Sequence, residues 1–224
     1  MRCEVLCRKR YVDEKMIESL QKGIKNVVIL GTGLDPRVYR FSRLPAIQVF
    51  EVDLPRNIEY KKKRLKQLYG TIPPQVRLVP IDFSNQDLES VLKEVGYSTD
   101  QKSFFIWEGV TEYLSESTVR RIFKFLAKAK PGSRMVFTYI VKDFIEGKRT
   151  YGLKSLYQQT RVKGKFFFFG LHPGHVADFL EGYSWKELEQ AGTSEYRAKY
   201  LKPVGRKDAV MEIERAVYAE KVSH

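Results

Sequence analysis

Four short clusters in this chain carry residue types suited to gripping a nucleoside. Gly31-Thr32-Gly33 places two residues without side chains close together, which lets the backbone approach a ligand. Glu51-Val52-Asp53 follows the first glycine, Gly31, by about 20 residues, the spacing at which an acid reaches the hydroxyls of a bound ribose. Asp82-Phe83 supplies an acid for the amino edge of an adenine and a ring for its face, and Trp107-Glu108-Gly109 supplies a further acid. Each cluster alone has a plainer reading. Acids at strand ends commonly cap the next helix, and the third glycine of the dinucleotide fingerprint is missing, since position 36 is Pro and the next glycine is Gly70. Together they describe an adenosine site.

The clusters matter because of the elements that carry them. Asn26–Leu30 is an apolar run too short for a helix, so it reads as a buried strand running into the Gly31 turn. The same rhythm predicts strands at 47–53, 76–82, 103–108 and 134–141, with helices at 54–69, 85–95 and 115–130, the last stopped by Pro131-Gly132. A capped helix is expected from Asp13 to Gly23. The alternation implies an α/β, doubly wound, mostly parallel sheet, whose ligands bind beyond the carboxyl ends of the strands. After Val141 the rhythm breaks into a segment rich in Lys, Gly, Tyr and Phe, expected as a cap-like insertion after the fifth strand, at about 142–172. A helix at 176–180 and strands at 183–188 and 216–222 then complete a seven-stranded sheet with an antiparallel hairpin at one edge, all within one domain over residues 1–224.

Composition excludes some classes. No stretch approaches the ~20 apolar residues of a membrane span, and MRCEVLCRKRY lacks the apolar core of a signal peptide, so a cytoplasmic protein is expected. Cys3 and Cys7 are too few for a disulfide scaffold or a four-cysteine zinc site. His172-Pro173-Gly174-His175 reads as a loop before a helix rather than a metal pair, and no metal is expected. The net charge of +13 admits an anionic partner without choosing one. Its densest run, Lys61-Lys62-Lys63-Arg64, is expected on the solvent face of a helix. Phe166–Phe169 is expected to pack the insertion, with an acceptor pocket or a dimer contact as the alternative.

Several motifs in order carry a family resemblance: Arg8-Lys-Arg-Tyr-Val-Asp13, then Leu30-Gly31-Thr-Gly33-Leu-Asp-Pro-Arg37-Val-Tyr-Arg40, then Glu51-Val-Asp53-Leu-Pro, then Trp107-Glu108-Gly-Val-Thr-Glu-Tyr-Leu114. More loosely, Phe169-Gly-Leu and Glu195–Leu201 extend it over nearly the whole chain. This pattern resembles the leucine carboxyl methyltransferase family. The resemblance implies a Rossmann-like methyltransferase fold and S-adenosyl-L-methionine as cofactor, with S-adenosyl-L-homocysteine as product. It also implies roles for named residues: Arg8 on the cofactor's carboxylate, Gly31 with Gly33 in the turn beneath it, Asp53 on the ribose, Asp82 and Phe83 around the adenine, and Glu108 near the amino-acid end. Arg37 and Arg40 are read as braces of the turn through Asp35 or Glu51. The family usually carries several tens of residues ahead of the Arg8 motif. The expectation is therefore that the insertion, or the second copy in a homodimer, completes the pocket, or that the shortened form has altered activity.

Methyl transfer from a sulfonium is an in-line displacement that gains most from alignment and exclusion of water. The implied reaction is O-methylation of a carboxylate or hydroxyl on a small molecule or a protein. A carboxylate acceptor needs no base. A hydroxyl would need one, and His172, His175 and Tyr113 are the candidates. Two readings stand beside this one: a nicotinamide-dependent oxidoreductase, and a basic RNA- or protein-binding module with a vestigial cofactor site, although nucleic acid is not the expected partner.

Overall fold

The computed structural model describes residues 3–40, 47–162 and 166–223, with no side-chain description at 161 and 162. The Phe-rich run is thus described, whereas residues 163–165 of the expected insertion lie outside the described residues. The strands are β1 (Asn26–Leu30), β2 (Gln48–Asp53), β3 (Val76–Pro80), β4 (Ser103–Trp107), β5 (Arg134–Val141), β6 (Gly170–Leu171), β7 (Trp185–Ala191) and β8 (Glu214–Lys221). They lie in the order β3-β2-β1-β4-β5-β8-β7, and the two-residue β6 pairs with the end of β5. The first five in that order are mutually parallel. β8 runs antiparallel to both β5 and β7.

Every residue of β1, β4 and β5 is buried, as strands covered on both faces must be, and this is why they read as continuous apolar runs. One face carries α1 (Cys3–Gln21) and α2 (Arg37–Arg40), with Tyr11, Val12, Met16 and Val38 packed on Val27, Ile29, Phe104, Ile106 and Val136. The other carries α4 (Leu88–Glu94), α5 (Glu116–Leu126) and α8 (Val176–Glu181), which bury Leu92, Val119, Ile122, Phe123 and Leu180 against Val28, Phe105, Trp107 and Phe137. Between β2 and β3 runs α3 (Pro55–Tyr69), entered through Pro55 at its first turn and left at Gly70 with φ 75°. Buried apolar side chains contribute about 1.5–3 kcal/mol each, so these two clusters fix the strand ends that any site must use.

Two expectations are corrected. The first helix begins at Cys3 rather than being capped at Asp13, because Asp13 is buried in its middle against two arginines. The helix expected over 85–95 starts at Leu88, where Asp87 accepts the Ser90 N–H at 2.9 Å as its cap. The last two strands form the expected antiparallel pair at the sheet edge. Residues 192–213 intervene, including α9 (Thr193–Tyr196) and a π-helical turn at Arg197–Leu201.

The segment after β5 holds α6 (Lys142–Ile145) and α7 (Lys154–Val162) before β6 returns to the sheet. Ile140 pairs with Glu214 on one side and Gly170 on the other, so β6 lies on the β4 side, past the point where β4 ends. The Phe run alternates as an extended chain does: Phe167 and Phe169 face the core while Phe166 and Phe168 are exposed.

Candidate active site

At the carboxyl ends of β1 and β4, a cavity of about 280 Å³ is lined by Arg8 and Lys9 of α1, by Gly31, Thr32 and Asp35 of the turn after β1, and by Glu108. A larger cavity, about 470 Å³, lies against α8 and β7 around Trp185 and Val222, away from these strand ends. Position favours the smaller one, because open parallel sheets bind ligands beyond their carboxyl edge.

Gly31 adopts φ 75° and accepts no side chain, since a Cβ there would stand 2.4 Å from Val110 Cγ2. Its N–H and that of Thr32 donate to Val52 O at 2.8 and 3.0 Å, which ties the turn to β2. Gly33 N–H then donates to Asp53 Oδ2 at 2.6 Å. The other carboxylate oxygen of Asp53 accepts from Leu54 N and Asn57 Nδ2, both at 2.7 Å. Asp53 therefore joins the glycine turn to the start of α3 and keeps acceptor capacity on Oδ2.

The charged residues form one alternating chain. Arg37 has no exposed side-chain area, and it donates to Asp13 at 2.6 Å and Glu108 at 2.7 Å while pairing with Asp35 at 3.1 Å. Arg8 donates to the second oxygen of Glu108 at 2.8 Å and to Glu214 of β8 at 2.6 Å. Arg40 pairs with the far oxygen of Asp13 at 3.0 Å. Burial would raise the Glu108 pKa, but Arg37, Arg8 and Lys9 outweigh it and hold it at about 2. Arg37 and Arg40 thus brace the turn through Asp35 and Asp13, not through Glu51. Glu51 is fully buried and binds Lys61 at 2.7 Å and the Tyr39 hydroxyl at 2.9 Å. Of the basic run, Lys62, Lys63 and Arg64 face solvent as expected, but Lys61 is buried under the turn, donating also to Thr32 Oγ1 at 2.6 Å.

The structure brings Arg8, Gly31 and Glu108 to one cavity and reaches Asp53 through Gly33. Asp82 and Phe83 are not in its lining. Asp82 is half-buried at the end of β3, accepting from Ser84 N at 2.9 Å and Asn85 Nδ2 at 2.8 Å, and the Phe83 ring lies in the core beside α4 and α5. His172 stands 3.2 Å from Asp143, and ligand-type atoms of Asp143, Glu146 and His172 lie within 4.8 Å of one another. Spacing gave no sign of this, because the residues come from different elements. Lys148 pairs with Glu146 at 2.7 Å.

Sequence reasoning missed Glu112. It follows β4 in a short 3₁₀ turn, is 4% exposed, and its Oε2 has no hydrogen-bond partner among the described residues. Burial first, and then the neighbouring Glu214 carboxylate, raise its pKa to about 8. The only sequence signal was an acid four residues after Glu108 in an otherwise apolar motif.

The chain matches the leucine carboxyl methyltransferase family over residues 1–127, the part that contributes β1 to β4, the glycine turn and Glu108. It belongs to that family. A Mycobacterium avium (strain 104) protein, named as belonging among S-adenosyl-L-methionine-dependent methyltransferases, is 34% identical over 135 residues, 60% of this chain and 45% of its own length. The chain spans about half the length of the curated relatives it matches, from 44% to 63%. Among solved structures, a methyltransferase-type protein from Thermobifida fusca YX superposes with TM-score 0.68 at 17% identity, covering 98% of this chain and 81% of the other. Human N-acetylserotonin methyltransferase in complex with its cofactor gives 0.61 at 16%, covering 96% and 51%. These likenesses establish the Rossmann-like methyltransferase fold. Among the described residues no helix is long and apolar enough to cross a membrane.

Proposed function

We propose that this family member is an S-adenosyl-L-methionine-dependent methyltransferase acting on an oxygen atom, of a carboxylate or a hydroxyl, carried by a small molecule or a protein. The observation that carries the reading is the meeting of Arg8 and Glu108 beside the Gly31 turn. An amino-acid moiety asks for a guanidinium and a carboxylate side by side, and here both are held ionised. Arg8 would take the carboxylate, Glu108 the ammonium, Asp53 a ribose hydroxyl through its remaining acceptor capacity, and Gly31 with Gly33 the close backbone approach. Asp82, half-buried just past β3, would meet the amino edge of the adenine, whereas the ring expected of Phe83 is turned into the core and offers it no face. The bound cofactor supplies an electrophilic methyl group on a sulfonium.

The chain's own work is to align the acceptor and exclude water. The described part of the segment after β5 is suited to covering it, since Phe168 N–H donates to Glu112 O at 2.7 Å and the Phe167 ring packs on Tyr113. A carboxylate acceptor needs no base. For a hydroxyl, the carboxyl of Glu112 joins His172, His175 and Tyr113 as a candidate.

Calorimetric titration tests the reading, with S-adenosylmethionine, S-adenosylhomocysteine and a nicotinamide dinucleotide as ligands. Binding of the first two in the micromolar range (about −8 kcal/mol), and none of the third, is expected. Asp53→Asn should weaken that binding at least tenfold with the fold intact by circular dichroism. Preference for the dinucleotide, or full affinity in the variant, would overturn the assignment.

A further inference from the structure

A second cavity opens at the same end of the sheet, where β5 and β7 finish and β8 begins. It measures about 350 Å³, and its lining includes Val141, Tyr151, Pro173, Arg197, Glu212 and Arg215. Glu214 and Arg215 are consecutive on β8, so their side chains leave opposite faces of the sheet. Glu214 goes to Arg8 and the first cavity, whereas Arg215 goes to this one.

Arg215 keeps one donor spare, although its guanidinium also meets the Tyr139 hydroxyl. Its Nε is buried without a hydrogen-bond partner, and the nearest carboxylate, on Glu195, stands 3.7 Å from Nη2. That carboxylate is already taken up, with one oxygen accepting Gly192 N–H and the other the Ser194 hydroxyl, each at 2.7 Å. Gly192 makes room for the guanidinium, since a Cβ there would stand 2.7 Å from Nη1. Arg197 begins the π-helical turn and is exposed, and no carboxylate pairs with it among the described residues. An unpaired buried guanidinium N–H is costly to leave without an acceptor. Arg215 and Arg197 face Glu212 across the lining, with Glu195 behind Arg215, so what the cavity offers an anion is the unsatisfied Nε–H of Arg215 together with the exposed guanidinium of Arg197. Val141, Pro173 and the Tyr151 ring give it an apolar side.

We propose that this cavity binds a small organic carboxylate with an apolar body, its anion on Arg215 and Arg197. The proposal deepens the methyltransferase reading, and rests on it only for the ligand's role: an acceptor anchored by its anion on the side of the sheet opposite Arg8.

The test uses the full chain labelled with ¹⁵N-arginine, titrated with 3-phenylpropionate and, as control, 3-phenylpropan-1-ol, while the Arg215 Nε–Hε resonance is followed. A saturable shift with the carboxylate alone is expected, at a Kd on the order of millimolar. Arg215→Gln and the exposed Arg197→Gln should each weaken binding several-fold or more, with affinity for S-adenosylmethionine unchanged. No saturable shift, an equal response to the alcohol, or wild-type binding in both variants would overturn the proposal. If Arg215→Gln does not fold, the wild-type titration and Arg197→Gln decide. Failure here with cofactor binding intact would leave the methyltransferase reading standing. Carboxylate binding in a protein that ignores S-adenosylmethionine would keep the site and remove that reading.

Discussion

Replacing Arg37 with methionine tests whether the charged chain at the strand ends holds the site together. The guanidinium is fully buried and contacts three carboxylates, Asp13, Asp35 and Glu108, from α1, the glycine turn and the end of β4. Removing it strands negative charge in a buried place, which typically costs about 3–5 kcal/mol. The remaining partners soften the loss without cancelling it: Arg40 on Asp13 at 3.0 Å, Lys9 on Asp35 at 3.6 Å, and Arg8 on Glu108 at 2.8 Å. For a chain of this length that cost corresponds to a fall in Tm of roughly 6–20 °C. Urea unfolding followed by fluorescence of the buried Trp107 and Trp185 is the assay. Its pH dependence gives the sharper check. Glu108 is held below its usual 4.5, at about 2, so its contribution is present above pH 4.5 and is lost as pH falls through 2. In Arg37→Met part of that depression disappears, so the gap between wild type and variant should be widest at neutral pH and should narrow from pH 4.5 towards 2. Arg40→Met is the control. Its half-exposed side chain meets the same Asp13, and a surface pair contributes about 1 kcal/mol or less. A loss below about 1 kcal/mol in Arg37→Met, or a gap that does not change with pH, would refute the argument.

Three further outcomes follow from the same structure. Gly31→Ala combines a left-handed backbone with a Cβ 2.4 Å from Val110, whereas Gly33→Ala, at φ 49° with open space around it, carries the backbone strain alone; thermal unfolding should show the first as clearly the more damaging, by at least ~1 kcal/mol. Glu112→Gln should stabilise the protein at pH 7–8: an acid raised to about 8 contributes stability that is full below pH 4.5 and lost as pH rises through 8, so the variant's Tm should vary less between pH 5 and 9, and equal slopes would sink the idea. Lys61→Met leaves Glu51 buried and unpaired, at a cost of about 3–5 kcal/mol, and adding Glu51→Met should recover much of it; a double variant no better than the single would show that the pair is not the cause.

The sheet was legible in sequence because its central strands are buried on both faces. Asn26–Leu30 and Arg134–Val141 needed no partner to be recognised, and the structure gives both the expected bounds. Helix α1 was less legible because its inward face is not apolar. Glu4, Asp13 and Lys15 are buried along with Cys7, Tyr11 and Met16, so a hydrophobic periodicity finds only the second half and takes Asp13 for its start. The same failure hid Lys61. Periodicity assigns a lysine in a basic run to solvent, and nothing local reveals that Glu51, ten residues earlier on β2, lies beneath it.

The candidate site divides along the same line. The positions of residues at strand ends could be read in order: Gly31 after β1, Asp53 closing β2, Glu108 after β4. What depends on contacts between distant segments could not, as with Arg8 and Glu214, which are separated by 206 residues. Yet those distant pairs fix the chemistry. Without Arg8, Arg37 and Lys9 around it, burial would drive Glu108 towards its neutral form and remove the negative charge from the cavity. Glu112 shows that outcome four residues on, where a buried carboxyl lies near Arg8 but beside another carboxylate and titrates near 8. The identity of an acid at a strand end is therefore a sequence property, whereas its charge state is set by the arginines that the fold delivers to it.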